Sequence, residues 1–337
     1  MRKLIRYILL KPILWLVARF DSAPVRERIF DALTKLQNAI INEPGKKGFI
    51  IPLDKVGTRF IIFSDQHKGT RNGADDFASC ETNYLAALGH YDAEQFHFIS
   101  LGDGEELWEN TLMQVRKYNV ATFEAEGRFL MRDALTKVFG NHDLDWDINP
   151  NARNDLKAIY GAPLIALEGV ILEGTIEGKL VTIFCTHGHQ GDAQSDGNLF
   201  SKFFVSKIWA PLQAYLHINP NTPAYNATLK TVHNLMMYEW CSQQKDLLLI
   251  TGHTHQPVFE SLTHYERIQR SEKKSLPEFA NIKPVYFNTG CCCYDDGDIT
   301  GIEIADGEIR LIKWSSKSGP PKREVLECTK LTSLSEK

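Results

Sequence analysis

The sequence predicts an α/β fold, and three features predict it. Short apolar, β-branched runs recur between Phe60 and Phe287, helical stretches separate several of them, and polar clusters rich in Asp, His and Gly follow directly on five of them. Runs of this length read as strands buried on both faces, and functional residues at their C-terminal ends mark an open α/β sheet.

Composition sets the outer bounds. The 337 residues are 43% hydrophobic and 24% charged, which excludes disordered, collagen-like and multi-span membrane chains. A net charge of −4 and a pI of 6.3 give no basic field for nucleic acid. Seven cysteines, three of them consecutive at Cys291, Cys292 and Cys293, form no C-x-x-C pair. They suit a reducing compartment, so a cytoplasmic location is expected. The triplet is expected to end a buried strand and to pack as small hydrophobes, in preference to a reactive-thiol role.

The elements follow in order. Residues 1–47 form an N-terminal helical segment. Met1 to Phe20 is apolar and basic, but Arg6, Lys11 and Pro12 interrupt it. A bilayer span needs about 20 mostly apolar residues, and a signal peptide needs an unbroken apolar region and a cleavage site. Two expectations remain: a peripheral anchor at the inner face of the membrane through residues 1–20, or a helix packed on the domain. Ser22 is placed to cap a second helix, with Val25, Ile29, Leu33, Leu36 and Ile40 at helical spacing and Asn42 to Gly45 ending it.

The main domain is expected over 48–315. Its strands are Phe60–Phe63, Phe96–Ile99, Thr136–Phe139, Val181–Phe184, Leu247–Ile250 and Val285–Phe287, with helices over Asp76–Leu88 and Thr111–Leu135. Glu177-Gly178 and Asp306-Gly307 are hairpin turns, the second between Ile299–Ile304 and Glu308–Trp314. A helical insertion spans about 198–243, broken around Asn219 to Pro223. Its first helix carries Phe200, Phe203, Phe204, Ile208, Trp209, Leu212, Tyr215 and Leu216 on more than one face. That pattern is expected to lie buried between layers, the alternative being a cap on an apolar substrate or partner. Residues 316–337 read as a flexible tail.

The chemistry lies in the clusters. They are Ser64-Asp65-Gln66-His67, Gly102-Asp103-Gly104-Glu105-Glu106, Gly140-Asn141-His142-Asp143, Thr186-His187-Gly188-His189 and Gly252-His253-Thr254-His255. One D-x-H or H-x-H is weak evidence; five clusters in order at strand ends are specific. Carboxylate and imidazole together bind borderline metals such as iron, manganese and zinc. On extended backbone, alternate side chains share a face, so both members of each pair are expected to face one cavity. A bridging Asp lets two cations sit roughly 3.5–4 Å apart, as in two-metal phosphatases.

These five clusters, in this order, resemble the calcineurin-like metallophosphoesterase superfamily over roughly Phe60 to Trp314. The resemblance implies a β-sandwich flanked by helices and two metal ions, Mn, Fe or Zn. It implies that Asp65, His67 and His255 hold one metal, that Asn141, His187 and His253 hold the other, and that Asp103 bridges them. It implies attack on phosphorus by a hydroxide shared between the metals. His142 would stabilise the phosphate oxygen or protonate the leaving group, with Glu106 orienting it. The longer strings, including Ser64 to Gly69 and Gly102 to Asn110, are similar to a bacterial branch often labelled serine/threonine phosphatase. This chain has Leu107 where eukaryotic-type protein phosphatases carry Arg. Its Glu106-x-Trp108 pattern is similar to UDP-diacylglucosamine pyrophosphohydrolase, which has Arg where this chain has His142.

The expected function is therefore hydrolysis of a phosphorylated small molecule, lipid or protein. The alternatives are pyrophosphate or phosphodiester hydrolysis at a nucleotide or lipid-linked substrate, and a catalytically inactive binding module. Lys68 and Arg71 are candidates to neutralise phosphate, and His189 and Asp192 to contact substrate or support the ligands. His90, His97, His217, His233 and His264 match no motif and read as structural or exposed.

Overall fold

Phe60 and Ile62 point into one apolar core, and Ile61 and Phe63 into another. A strand with no polar residue needs a layer on each face, and the chain supplies both. In the computed structural model, which describes residues 24–53, 58–191, 227–260 and 284–334, two mixed sheets pack face to face with helices outside each. The fold is α/β, as the sequence predicts.

The strands are β1 (Gly48–Pro52), β2 (Phe60–Phe63), β3 (His97–Leu101), β4 (Leu135–Val138), β5 (Ala166–Leu167), β6 (Gly169–Ile176), β7 (Lys179–Thr186), β8 (Leu247–Thr251), β9 (Tyr286–Asn288), β10 (Ile299–Ala305), β11 (Glu308–Ser315) and β12 (Lys322–Lys330). One sheet runs β1-β6-β7-β8-β9 and the other β12-β11-β10-β2-β3-β4-β5. Within the second, β2, β3, β4 and β5 pair in parallel, which puts the loops after β2, β3 and β4 at one end. In the first sheet, β7 pairs in parallel with β8, and β8 with β9. The two sheets deliver their C-terminal loops to a common edge, where the site lies.

Between the sheets, Phe60, Ile62, Ile99, Leu101 and Val138 meet Val170, Leu172, Ile183, Leu248 and Ile250. Helices α1 (Arg26–Asn42), α2 (Glu81–Ala93), α3 (Leu112–Tyr118), α4 (Val120–Met131), α5 (Asp145–Ile148), α6 (Ala152–Tyr160), α7 (Ala227–Ser242) and α8 (Leu331–Leu334) complete the layers. Tyr84, Leu88 and Phe129 of α2 and α4 cover the outer face of the larger sheet. Ile29, Leu33, Leu36 and Ile40 of α1 join Met237 and Trp240 of α7 on the outer face of the smaller one. The turns fall where the sequence puts them: Glu177 and Gly178, and Asp306 and Gly307, all have positive φ.

Several details differ from expectation. Val25 is the N-cap of α1 and is exposed, while Ser22 lies outside the described residues. The Asp76 segment opens as a 3-10 turn capped by Asp75, and α2 proper starts at Glu81. The expected long helix after Thr111 divides at Asn119, whose amide reaches back to Gly69 O and Val115 O, both at 2.8 Å. The expected flexible tail over 316–337 is, through residue 334, no loose segment, because β12 pairs antiparallel along β11 and Leu331 and Leu334 of α8 are buried in the central core. Met1 to Phe20, Asp192 and the first insertion helix lie outside the described residues. Among the described residues, no helix is long and apolar enough to cross a membrane.

Candidate metal centre

The loops after β2 and β3 are zipped together by backbone. Asp65 N donates to Gly102 O at 3.0 Å, His67 N to Asp103 O at 2.9 Å, and Lys68 N to Gly104 O at 3.1 Å. Asp65, His67, Asp103, His253 and His255 all adopt left-handed backbone, with φ from 49° to 68°. The expectation of extended D-x-H and H-x-H segments is thus corrected. Strained turns, each costing about 1–3 kcal/mol, aim these side chains inward. Two glycines admit the close approach: a Cβ at Gly140 would overlap Asp103, and one at Gly252 would overlap Ser64 and Asp65.

The structure brings the nine predicted site residues to this one edge. His255 Nε2 lies 3.1 Å from Asp65 Oδ1 and 3.3 Å from His67 Nε2. Asp103 Oδ2 lies 3.1 Å from His187 Nε2 and 3.7 Å from His67 Nε2, so it faces both halves. Its other oxygen accepts from His142 N at 2.8 Å. Potential ligand atoms of Asp103, His187 and His253 group within 4.8 Å, as do those of His67, Asp103 and His142.

Tautomers follow from the partners. His187 Nδ1 lies 2.9 Å from Leu101 O. A carbonyl only accepts, so Nδ1 carries a proton and, in the neutral ring, Nε2 is left with the lone pair. His67 Nδ1 donates likewise to Glu106 Oε2 at 2.9 Å. When these rings are neutral, their Nε2 lone pairs and the carboxylate oxygens face the same space, which a cation can fill. Asp65 Oδ1, Asn141 Oδ1 and His187 Nε2 are buried and have no hydrogen-bond partner. Buried polar atoms without partners are costly, and here they converge on a set of imidazole, carboxylate and amide oxygen donors. That set fits borderline divalent cations, with carbonyl and carboxylate backing of the kind that orients ligating imidazoles.

The electrostatics agree. Burial alone would raise the Asp65 carboxyl, yet His255 and His187 hold it well below the usual range. Burial would lower His187, but Asp103 and Asp65 push it up to about 9. Desolvation works against Glu106 too, and His142 and His67 hold it at about 2. The centre demands positive charge, from protons or from cations.

His142 is set apart. Its Nδ1 donates to Glu106 Oε2 at 2.7 Å, and its ring stacks on Trp108 with centroids 4.4 Å apart and planes 16° from parallel. Its side chain is 23% exposed, against 0% for His187. Its ring reaches the open side, where that of His187 does not.

Two candidates for phosphate contact are corrected. Lys68 is fully buried and ion-pairs with Glu126 at 2.6 Å and Glu105 at 3.1 Å, so it cannot meet a phosphate. Arg71 is taken up by Glu81, Tyr118 O and Asn119. His189 is buried with its ring 5.4 Å from that of His187 and 6.5 Å from that of His253, which fits the expected supporting place. His233 is structural, with Nε2 2.9 Å from Gly188 O. Sequence reasoning missed Trp108 as the support of His142. It also missed Cys293, whose Sγ lies 3.6 Å from His255 Nδ1.

No family model and no curated protein matches the chain. Similar solved structures include a conserved uncharacterized protein, a predicted phosphoesterase, from Streptococcus pneumoniae TIGR4. It is 12% identical over 80% of this chain and 98% of that one, with a TM-score of 0.31. A cold-active protein-tyrosine phosphatase of a psychrophilic Shewanella is 14% identical over 82% of each chain, with a TM-score of 0.34. Wild-type Vps29 from Entamoeba histolytica, complexed with zinc, is 12% identical over 80% of this chain and 98% of that one, with a TM-score of 0.29. These likenesses are distant, and the site rests on this chain's own geometry.

Proposed function

We propose that this protein is a dinuclear metal-dependent phosphoesterase acting on a phosphorylated small molecule, lipid or protein. The observation that carries the reading is the pair His187 Nε2 and Asp103 Oδ2, 3.1 Å apart with His187 Nδ1 tied to Leu101 O, beside the buried Asp65 Oδ1, 3.1 Å from His255 Nε2, and the buried Asn141 Oδ1, which has no hydrogen-bond partner. In this reading Asp65, His67 and His255 hold one ion and Asn141, His187 and His253 the other, with Asp103 between. Mn, Fe and Zn all suit the donors. When bound, the metals supply Lewis-acid activation of water and neutralise charge on the phosphoryl group.

The chain's own groups do the rest. Glu106 stays ionised and fixes the proton of His142 on Nδ1. Nε2, when protonated, is then free to give a proton to the leaving oxygen. Trp108 blocks one face of that ring and prevents it from turning away.

The test is a panel of p-nitrophenyl phosphate, bis-p-nitrophenyl phosphate and a nucleotide diphosphate, assayed with Mn²⁺ and with chelator. Turnover of one class with metal and none with chelator is expected, and the preferred class separates monoester, diester and pyrophosphate chemistry. Two bound metals with no turnover of any of them would make the centre a binding module. Failure to bind metal would overturn the reading.

A further inference from the structure

We propose that Cys293 is the positioning residue of His255, its sulfur accepting the Nδ1 proton so that Nε2 is left bare toward Asp65 and His67. This rests on the metal reading above and extends it to a thiol that takes no part in that ligand set.

The geometry is specific. Cys293 Sγ stands 3.6 Å from His255 Nδ1, while the ring's other nitrogen, Nε2, faces Asp65 Oδ1 and His67 Nε2. On its other side the ring meets Asp65 Oδ1, 3.1 Å from Nε2, so the two ring nitrogens face sulfur and carboxylate respectively. A cation on Nε2 needs that nitrogen's lone pair, which leaves the proton of the neutral ring on Nδ1, where it meets the sulfur. Sulfur is a weak acceptor, but the fixed position compensates.

That position is fixed by backbone on both sides. Cys292 N donates to Asp65 O at 3.1 Å, and Thr300 N donates to Cys291 O at 3.1 Å. Cys292 packs into the apolar layer with Phe63 and Phe77, while Cys293, the next residue, meets His255 instead. Tyr294 then donates its hydroxyl to His255 O at 3.2 Å. The segment grips His255 at ring and backbone, where its φ of 56° is strained and needs support. The three supported imidazoles differ in their partners: carboxylate for His67, carbonyl for His187, sulfur for His255.

The competing role is direct ligation, since ligand atoms of His67, His255 and Cys293 all lie within 4.8 Å of one another. Substitution with Co²⁺ distinguishes the two. The wild-type protein should bind two Co²⁺ without an intense thiolate-to-cobalt band in the near ultraviolet. Cys293→Ala should weaken one of the two equivalents by about 10–100-fold, the usual effect of losing such a partner. Cys293→Ser should recover part of that loss, because a hydroxyl also accepts from Nδ1. A thiolate band that disappears in Cys293→Ala, or unchanged Co²⁺ affinity in that variant, would overturn the proposal. A second arm needs no metal. In alkaline buffer, where the ring is neutral, ¹⁵N spectra of histidine-labelled protein should show His255 protonated on Nδ1 in the wild type and shifted toward Nε2 in Cys293→Ala. An Nε2 proton in the wild type overturns the role of Cys293, whereas absence of Co²⁺ binding overturns only the metal reading.

Discussion

Glu106 Oε2 lies 2.7 Å from His142 Nδ1, and the same oxygen lies 2.9 Å from His67 Nδ1. One carboxylate oxygen therefore ties the group proposed for proton transfer to a residue proposed to hold metal. Its other oxygen accepts from Trp108 N at 3.2 Å, which fixes the carboxylate plane. Glu106→Gln keeps the shape but removes the charge and makes half of the group a donor. We expect kcat to fall by roughly 10–100-fold, with partial loss of metal, and Glu106→Ala to lose more of both. Paired steady-state kinetics and metal analysis check this. Unchanged kcat with full metal would mean that the link is idle.

Lys68 offers the sharpest separation of stability from function. Its ammonium lies in a buried, satisfied cluster: Glu126 also accepts from Tyr84 at 2.9 Å and Tyr160 at 2.6 Å, and Glu105 meets Lys137 at 2.9 Å and Trp146 at 2.7 Å. Burial would raise Glu105, but Lys137 and Lys68 hold it at about 2. Removing one partner from such a cluster leaves charge uncompensated, at about 3–5 kcal/mol. Lys68→Met should lose that much in urea denaturation while KM for a phosphoester, measured where the variant stays folded, is unchanged. A large rise in KM with normal stability would return Lys68 to the phosphate.

The history of Lys68 shows what the sequence could and could not reveal. Strands such as Phe60–Phe63 were legible because a run buried on both faces has no polar position to blur it. The clusters were legible because metal-binding residue types recur directly after such runs. The left-handed turns at Asp65 and His67 were not, since nothing in D-x-H states the sign of φ. Lys68 was misjudged by adjacency to His67, because its partners Glu105 and Glu126 are distant in sequence and no local pattern announces them. Strand β12 was missed because its outward residues carry little apolar pattern and its identity comes from pairing with β11. Cys293 was hidden in a triplet whose middle member does pack as a hydrophobe.

His97 predicts an acid sensitivity outside the metal centre. Its Nε2 bonds Thr136 Oγ1 at 2.8 Å, and burial, with Arg132 adding, lowers it from 6.5 to about 4. A depressed folded value means that the unfolded chain takes up the proton first as pH falls. The contribution is whole above about 6.5, is lost progressively down to about 4 and does not change below that, on the order of 2–3 kcal/mol in all. His97→Gln, which keeps a hydrogen-bonding group, should flatten the stability difference between pH 7 and pH 4. Parallel denaturation curves for the two proteins across that range give the answer, and an identical pH slope in both would remove His97 from the account.

His142 carries the last prediction, and it turns on the leaving group. The ring sits between Trp108 and Glu106 with its proton held on Nδ1, so Nε2 is the atom directed at a substrate oxygen. Its backbone N–H also contacts Asp103, but the side chain is not in the proposed ligand set. His142→Ala should therefore keep both metals while the rate falls by about 10²–10⁴-fold, the usual range for a general acid or base. A proton donor matters most where the departing oxygen is a poor leaving group. The loss should accordingly be small for p-nitrophenyl phosphate and large for an alkyl phosphate. If the ring acts only by stabilising charge on the phosphoryl oxygens, the two substrates should lose rate equally. Metal analysis of the same preparation guards the comparison, because Asn141 is the adjacent residue and a displaced loop would cost metal and rate together. Equal losses with both metals retained would assign His142 to electrostatic stabilisation and leave proton donation to another group.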